Sequence, residues 1–201
     1  MFQGSPRLSL VLTIGLLSGC GMARQDVTQG IPASSPPPQV AAEPSIPQGR
    51  WWTWAWAEPQ DTNPVWNRTG EFCDRNQPDD VWFLAGTFGG TLRRSCTVPP
   101  GRPLDFPLVN KTDTESGCRT FMATAKGRAV LDGRTIKPER LEEDDVLVTD
   151  AGVTDTTFAC GLWVRLEPLK PGRHRLIIRG SSGTFRTGVD YTLTVQNHQR
   201  A

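Results

Sequence analysis

The chain has 201 residues, with 22 Lys and Arg against 21 Asp and Glu, so its formal net charge is +1. This balance excludes a broadly basic nucleic-acid binder and provides no long-range field for steering a charged partner. Gly and Pro are abundant, at 20 and 17 residues, and only two His are available for metal or general-base sites, so the composition indicates a turn-rich globular domain with non-globular sequence attached.

The first 19 residues are typical of an export signal. Arg7 precedes the apolar run Leu8 to Leu17, which at about ten residues is too short for a bilayer that needs about twenty. The junction Leu17-Ser18-Gly19-Cys20 resembles the lipobox of bacterial lipoproteins, in which the Cys is diacylated and becomes the first residue of the mature chain. We therefore predict that lipid on Cys20 anchors the protein to the cell membrane, with its domain outside the cytoplasm. The alternative is a simple secretory signal, which would leave Cys20 as an unpaired thiol.

Residues 20–49 contain many prolines and almost no large apolar side chain. Such a segment cannot bury a core, and it predicts a disordered, semi-rigid tether behind the lipidated Cys. The composition changes at Arg50, so residues 50–197 are predicted to form a single domain, followed by a tail at 198–201.

The first half of this domain predicts one helix and several strands. The helix is expected at Arg50 to Ala57. Two runs, 81–88 and 91–98, flank Gly89-Gly90 and predict a tight hairpin, because paired glycines readily adopt positive φ. The next strand, 103–110, should lie at a sheet edge or contain a bulge, because Pro107 cannot donate to a neighbour.

The second half continues in the same way. A further helical segment is expected within 120–126 or 138–143, and Asp132-Gly133 predicts a second hairpin. Apolar and polar residues alternate along 158–166 and 189–195, with another strand at 173–179, which is typical of half-buried antiparallel strands. The fold class is therefore mainly β: an antiparallel β-sandwich, immunoglobulin-like or jelly-roll-like, with one or two short helices.

Four cysteines remain after Cys20. Export places Cys73, Cys96, Cys118 and Cys160 in an oxidising compartment, where disulfides persist. Three pairings are possible, and the sequence does not choose among them. We favour Cys73 with Cys96 and Cys118 with Cys160, since each bond closes a loop of moderate length, whereas a zinc site would require C-x-x-C spacing that is not present.

The candidate binding residues are aromatic. Trp51, Trp52, Trp54 and Trp56 lie within six residues. An exposed array would suit sugar rings, whose apolar faces stack on indole, but Trp is usually buried and the same residues could pack in the core. Asn110 is a further candidate, because it is a polar residue at the end of an apolar strand.

No residues are assigned to catalysis, a metal or a cofactor. The acidic run Glu142 to Asp145 lacks the interleaved spacing of a calcium loop and is interpreted as a solvated turn. His174 and His198 have no ligand or triad partner at a recognisable spacing. The G-x-S-x-G, H-E-x-x-H and glycine-rich phosphate motifs do not occur in the sequence, although a triad assembled from distant positions would leave no such motif.

The segment from Trp54 to Asn110 carries a resemblance. The run Val81-Trp82-Phe83-Leu84-Ala85-Gly86-Thr87-Phe88-Gly89-Gly90, with Arg94, Cys96 and Phe106-Pro107-Leu108-Val109-Asn110, resembles a family of uncharacterised bacterial exported proteins and lipoproteins. The resemblance implies an exported location, adds weight to the Cys73–Cys96 pairing, and implies no activity. The closing strands also resemble those of immunoglobulin-like sandwiches.

Three functional hypotheses follow. The first is a lipid-anchored, non-catalytic envelope protein whose sandwich binds a glycan, a peptide or a neighbouring protein. The alternative is an extracytoplasmic hydrolase acting on envelope polymers through scattered Asp, Glu and His residues. The third is a spacer or assembly part without a small ligand. An exposed aromatic patch would favour the first, and convergent titratable groups in a pocket would favour the second.

Overall fold

The structure is a computed structural model that describes residues 48–197, without the side chains of Asp144 and Asp145. The predicted signal 1–19, the lipidated Cys20, the tether up to residue 47 and the tail 198–201 lie outside the described residues. The first helix begins at Gln48, two residues before the predicted start of the domain.

Strands dominate the described part of the chain, which also contains two short helices. In chain order the elements are α1 (Gln48–Trp56), β1 (Trp82–Phe83), β2 (Gly90–Val98), β3 (Leu104–Asp113), α2 (Glu115–Ala123), β4 (Lys126–Leu131), β5 (Arg134–Ile136), β6 (Glu139–Asp150), β7 (Val153–Leu166), β8 (Gly172–Ser182) and β9 (Phe185–Val195). Neither helix has the length and apolarity that a bilayer crossing requires.

The strands form two sheets that pack face to face. One has the order β1-β3-β7-β6 and the other β2-β9-β8-β4-β5. Apolar side chains of both sheets share one core, which includes Phe106, Val164, Leu176 and Leu193. The predicted mainly-β sandwich is confirmed. The sheets are mixed rather than purely antiparallel, because β1 runs parallel to β3 and β2 runs parallel to β9.

The hairpin predicted at Gly89-Gly90 is wrong. The strands on either side of this turn belong to different sheets, so the chain crosses from one sheet to the other. Both glycines have positive φ, 136° and 74°, which is why the sequence carried a turn signal. β2 does not pair with β1 because β9 pairs with it along its whole length, whereas β1 has only two residues. The Asp132-Gly133 hairpin, between β4 and β5, is confirmed.

The second helix overlaps the first of the two predicted segments, 120–126, only at 120–123, and it begins five residues earlier than predicted. α2 begins at Glu115, after Thr114, whose Oγ1 accepts a hydrogen bond from the Gly117 N–H at 3.1 Å. Residues 138–143, the other alternative, lie mainly in strand β6. Glu and Arg favour helices there, but Leu141 packs beneath α1, so tertiary packing decides the conformation.

Strand β3 contains the irregularity that Pro107 predicts. β3 lies between β1 and β7, and its register with β7 shifts between Pro107 and Val109. The sequence had left an edge position and a bulge open, and the structure has the bulge. At this point β3 approaches β8 so closely that a Cβ on Gly180 would stand 1.8 Å from the Leu108 carbonyl oxygen. Only glycine fits at this contact.

Both disulfides have the favoured pairing. Cys73 bonds to Cys96 and Cys118 bonds to Cys160. The first attaches the long segment between α1 and β1 to strand β2, and the second attaches α2 to strand β7. Each bond therefore fixes a region outside the sheets onto the sandwich.

Candidate functional site

Helix α1 covers the outer face of the first sheet with tryptophan. Trp51 and Trp54 are almost fully buried, in a cluster with Trp163 and Phe83. Their indole N–H groups have partners: Trp51 donates to the Leu84 carbonyl at 3.1 Å, and Trp54 donates to the Arg75 carbonyl at 2.8 Å. These two residues have the environment of core side chains, the second of the two interpretations that the sequence allowed.

Trp52 differs from its neighbours on the helix. Its side chain is 8% exposed, yet no acceptor among the described residues lies within hydrogen-bonding distance of its indole Nε1. A buried N–H without a partner costs about 1–3 kcal/mol, so this geometry is rare unless a ligand or solvent completes it. Trp52 is therefore a candidate for a ligand contact.

Trp52 lines a small cavity, which we call the Trp52 pocket. Its volume is about 70 Å³, and its walls come from α1, the segment between α1 and β1, the crossing segment after β1, the bulge of β3 and the start of β9. All of the lining residues are uncharged, and they are Trp51, Trp52, Ala55, Val65, Gly86, Thr87, Phe88, Pro107, Leu108, Val109, Asn110, Phe185 and Thr187. The predicted candidates Trp51, Trp52 and Asn110 therefore meet at one site.

Asn110 brings a second donor to this pocket. It follows the bulge on β3, opposite Gly161 of β7. Its side-chain Nδ2 is buried and has no hydrogen-bond partner among the described residues, as is the case for Trp52 Nε1. The other polar side chains of the wall, Thr87 and Thr187, bond to each other at 3.0 Å. Among the described residues of the wall, Trp52 and Asn110 are thus the two with a buried side-chain donor that lacks a partner.

Partly exposed aromatic side chains surround the pocket. Phe88, 46% exposed, lines the pocket and stacks on Trp56 with ring centroids 5.6 Å apart and planes 23° apart. Trp66, also 46% exposed, lies 4.7 Å from Phe88. Phe185, 37% exposed, contributes from β9. We call Trp56, Trp66, Phe88 and Phe185 the aromatic rim. Trp56 in turn stacks on Trp52, so the rim continues into the pocket.

Arg94 holds the segments that form the wall. Its side chain is 3% exposed, and it faces inwards in the alternating pattern of β2. The guanidinium donates to the carbonyls of Val65 and Gly86, both at 2.8 Å, and both of these residues line the pocket. No carboxylate within the described chain pairs with it. Arg94 is thus a positioning residue for this site.

Asn63 joins the end of α1 to the pocket wall. Its Nδ2 donates to the carbonyls of Ala55 and Glu58, at 2.8 and 2.9 Å, and its Oδ1 accepts from the Val65 N–H at 2.8 Å. Ala55 and Val65 both line the pocket. One buried amide therefore sets the distance between two walls.

Asn63→Ala is expected to lower the free energy of unfolding by about 2 kcal/mol, because three main-chain groups lose a buried partner. Chemical denaturation with both disulfides intact measures this. Gln60→Ala, in the same loop but exposed, is the matched control and should change stability by less than about 0.5 kcal/mol. Equal effects of the two substitutions would contradict the bridging role of Asn63.

The remaining candidates lie elsewhere. Trp54 is in the core and outside the pocket. The acidic run from Glu142 lies in β6, where the register shifts between Glu143 and Val146, rather than in a turn. His174 accompanies Asp132: its Nδ1 lies 2.7 Å from a carboxylate oxygen, and this hydrogen bond raises the pKa of the imidazole. His198 is outside the described residues.

A second concavity of about 590 Å³ lies beside the Cys73–Cys96 disulfide. It is more open than the Trp52 pocket, and Glu71, Asp74 and Arg102 are among its lining residues. The Trp82 indole Nε1 there is buried and has no hydrogen-bond partner in the described part of the chain, and the Arg102 guanidinium lies 5.5 Å from the Trp82 ring centroid. Across the described residues, no group of three His, Cys, Asp or Glu side chains is arranged to hold a metal ion.

The sequence did not predict most of the aromatic rim, nor the residues Arg94 and Asn63 that hold the pocket wall in place. Phe88 and Phe185 are isolated aromatic residues, and nothing in the sequence links them to the Trp-rich helix. Trp66 lies outside the Trp-rich helix and is not among the predicted candidates. Arg94 did carry a signal, because it occupies an inward position in the alternating strand Leu92, Arg94, Cys96, Val98.

Comparison of the chain with models of protein families finds no match, and a search of curated proteins finds none either.

Proposed function

We propose that this chain is a lipid-anchored protein of the bacterial cell envelope, whose sandwich binds a ligand outside the cytoplasm at the Trp52 pocket without transforming it. The predicted export signal and the lipobox-like sequence at Cys20 support the location. The observation that carries the binding function is that two residues lining one pocket, Trp52 and Asn110, each have a buried donor without a partner among the described residues, beside a partly exposed aromatic rim.

The energetics support a binding role. Burying an unpaired donor costs stability, and exposing large aromatic side chains leaves apolar surface in contact with water. A ligand that accepts hydrogen bonds and covers the aromatic rim removes both penalties together. Binding sites commonly combine these features, with an apolar concave surface and a few convergent polar groups.

The uncharged lining supports binding over hydrolysis. General acid–base catalysis uses titratable side chains within hydrogen-bonding reach of the substrate, and the Trp52 pocket is lined by none. The hydrolase alternative would have to use another surface. The concavity beside the Cys73–Cys96 disulfide has carboxylates at its wall, but Glu71 and Asp74 are both exposed.

The test measures binding to the full chain, exported and purified from membranes in detergent. Soluble peptidoglycan fragments, capsular polysaccharide and stem peptides are titrated while tryptophan fluorescence is followed. We expect a saturable change with one of them, weakened about tenfold or more by Phe88→Ala and by Asn110→Ala. Both variants keep all seven tryptophans, so the reporter is unchanged.

Two controls separate binding from folding. Val153→Ala removes an exposed apolar side chain outside the pocket and should leave the affinity unchanged. Asn110→Ala should not lower the free energy of unfolding, because it removes a donor that has no partner. No saturable change with any probe, or equal affinities in the variants and the parent protein, would contradict the proposed function.

A further inference from the structure

Building on the proposed function, we propose that the group entering the Trp52 pocket is the acetamido group of an N-acetylated hexosamine, with the sugar ring resting on the aromatic rim. The charge of the pocket, its donors, its size and its rim support this assignment.

The pocket favours a neutral ligand group. All of its lining residues are uncharged, so a carboxylate or phosphate would be desolvated there without a compensating charge. The two unpaired groups, Trp52 Nε1 and Asn110 Nδ2, are both donors. Each of them lacks an acceptor, and the oxygen of a neutral amide supplies one without bringing a charge into the pocket.

The size of the pocket limits the group to a few atoms. A volume of about 70 Å³ is roughly five times the 10–15 Å³ that one water molecule needs, which suits a group of four or five non-hydrogen atoms. An acetamido group has four. Its methyl group needs apolar contacts, and Ala55, Val65 and Leu108 supply them in the wall.

The aromatic rim favours a sugar as the rest of the ligand. Phe88 and Trp56 stack nearly parallel, and the ring of Trp66 contacts that of Phe88. The surface beside the pocket is therefore aromatic and partly exposed. A hexosamine has an apolar face of C–H groups that can lie on the exposed parts of the rim, chiefly those of Trp66 and Phe88, while its hydroxyl groups remain in water. A peptide would place main-chain N–H and C=O groups against the same rings, where they would lack partners.

The experiment compares sugars that differ only at the acetamido position. Full-length protein in detergent is titrated with triacetylchitotriose and with cellotriose, which has a hydroxyl group in place of each acetamido group. Methyl N-acetyl-β-galactosaminide and methyl β-galactoside form a second pair. Saturation-transfer NMR maps which ligand protons contact the protein.

We expect the acetylated member of at least one pair to bind tenfold or more tightly than its partner, with the strongest saturation transfer at the acetamido methyl. Asn110→Ala should remove most of this preference, whereas Phe88→Ala should weaken both members of the pair similarly. Val153→Ala should change neither.

The outcomes separate this inference from the proposed function. Equal binding of both members of each pair, or binding of an envelope polymer without acetamido groups at the same site, would overturn the acetamido assignment and leave the binding function standing. Failure of every sugar, every envelope polymer and every stem peptide to bind would overturn both. Strong acetamido preference that persists unchanged in Asn110→Ala would place the recognition elsewhere and also overturn the assignment.

Discussion

Arg94→Leu is expected to lower the free energy of unfolding by about 4 kcal/mol, because a buried side chain that donates hydrogen bonds to four carbonyls is replaced by one that donates none. The hydrogen bonds lost are those to the carbonyl oxygens of Val65, Asn67, Ala85 and Gly86, at 2.8, 2.9, 3.1 and 2.8 Å. Ala85 keeps one partner, since the Tyr191 hydroxyl also donates to it. The other three carbonyls have no substitute donor in the leucine variant.

Urea denaturation of the disulfide-bonded protein measures this loss. Arg93→Leu is the matched control, because it removes the same charge from the exposed face of the same strand and should change stability by less than about 0.5 kcal/mol. Arg94→Lys keeps the charge but cannot reproduce the planar fork, so its stability should fall between those of the leucine variant and the parent protein. Arg94→Leu behaving like Arg93→Leu would show that the carbonyls are satisfied without the guanidinium.

Local patterns in the sequence predicted part of the fold. Alternation along 158–166 and 189–195 predicted strands because each has one face in the core between the sheets. The other face of 158–166 is also buried, because Ala159 and Trp163 lie in the cluster beneath α1, so this strand is not half-buried as predicted. Local turn chemistry predicted the Asp132-Gly133 hairpin, whose partner strands are adjacent in sequence. Pairing between distant segments, such as β2 with β9, leaves no local signal, and for this reason the crossing at Gly89-Gly90 was predicted as a hairpin.

The candidate site was also predictable only where a residue carries a local signal in the sequence. Trp52 and Asn110 could be selected because each is unusual for its position, an indole in a short Trp-rich helix and an amide after an apolar strand. Their convergence depends on α1 packing over the β3 bulge, and the contribution of Phe185 depends on the second sheet. Which tryptophan lacks a hydrogen-bond partner is a property of three-dimensional packing, and the spacing of the four residues does not encode it.

A second large effect is expected on the pH dependence of stability. The carboxyl group of Asp105, on β3, is fully buried, and burial is the main reason that its pKa is raised to about 6. Arg165 at 2.9 Å and the more distant Arg50 act in the opposite direction, and the carboxylates of Asp80 and Glu139 add to the rise. One of the Asp105 oxygens, Oδ1, has no hydrogen-bond partner among the described residues.

Whether stability rises or falls with pH depends on which state, folded or unfolded, binds the Asp105 proton more tightly. Below about pH 4 the Asp105 carboxyl is protonated in both the folded and the unfolded chain, so it does not favour unfolding. Between about pH 4 and pH 6 the unfolded chain releases the proton while the folded chain keeps it, and stability falls as the pH rises. The loss attributable to Asp105 reaches about 3 kcal/mol at neutral pH, since each unit of pKa difference corresponds to about 1.4 kcal/mol.

Asp105→Asn removes this titration, so the free energy of unfolding of the variant should rise by about 3 kcal/mol relative to the parent protein between about pH 4 and pH 7, measured by urea denaturation at each pH.

Asp80→Asn is the control, because the stability contributed by Asp80 changes with pH in the opposite direction. Arg50 lowers the pKa of Asp80 to about 2, so the stability contributed by Asp80 is present above about pH 4 and disappears as the pH falls towards 2. Parallel curves for Asp105→Asn and the parent protein would mean that the attraction of Arg165 outweighs burial, and that Asp105 is already ionised in the folded chain at pH 4.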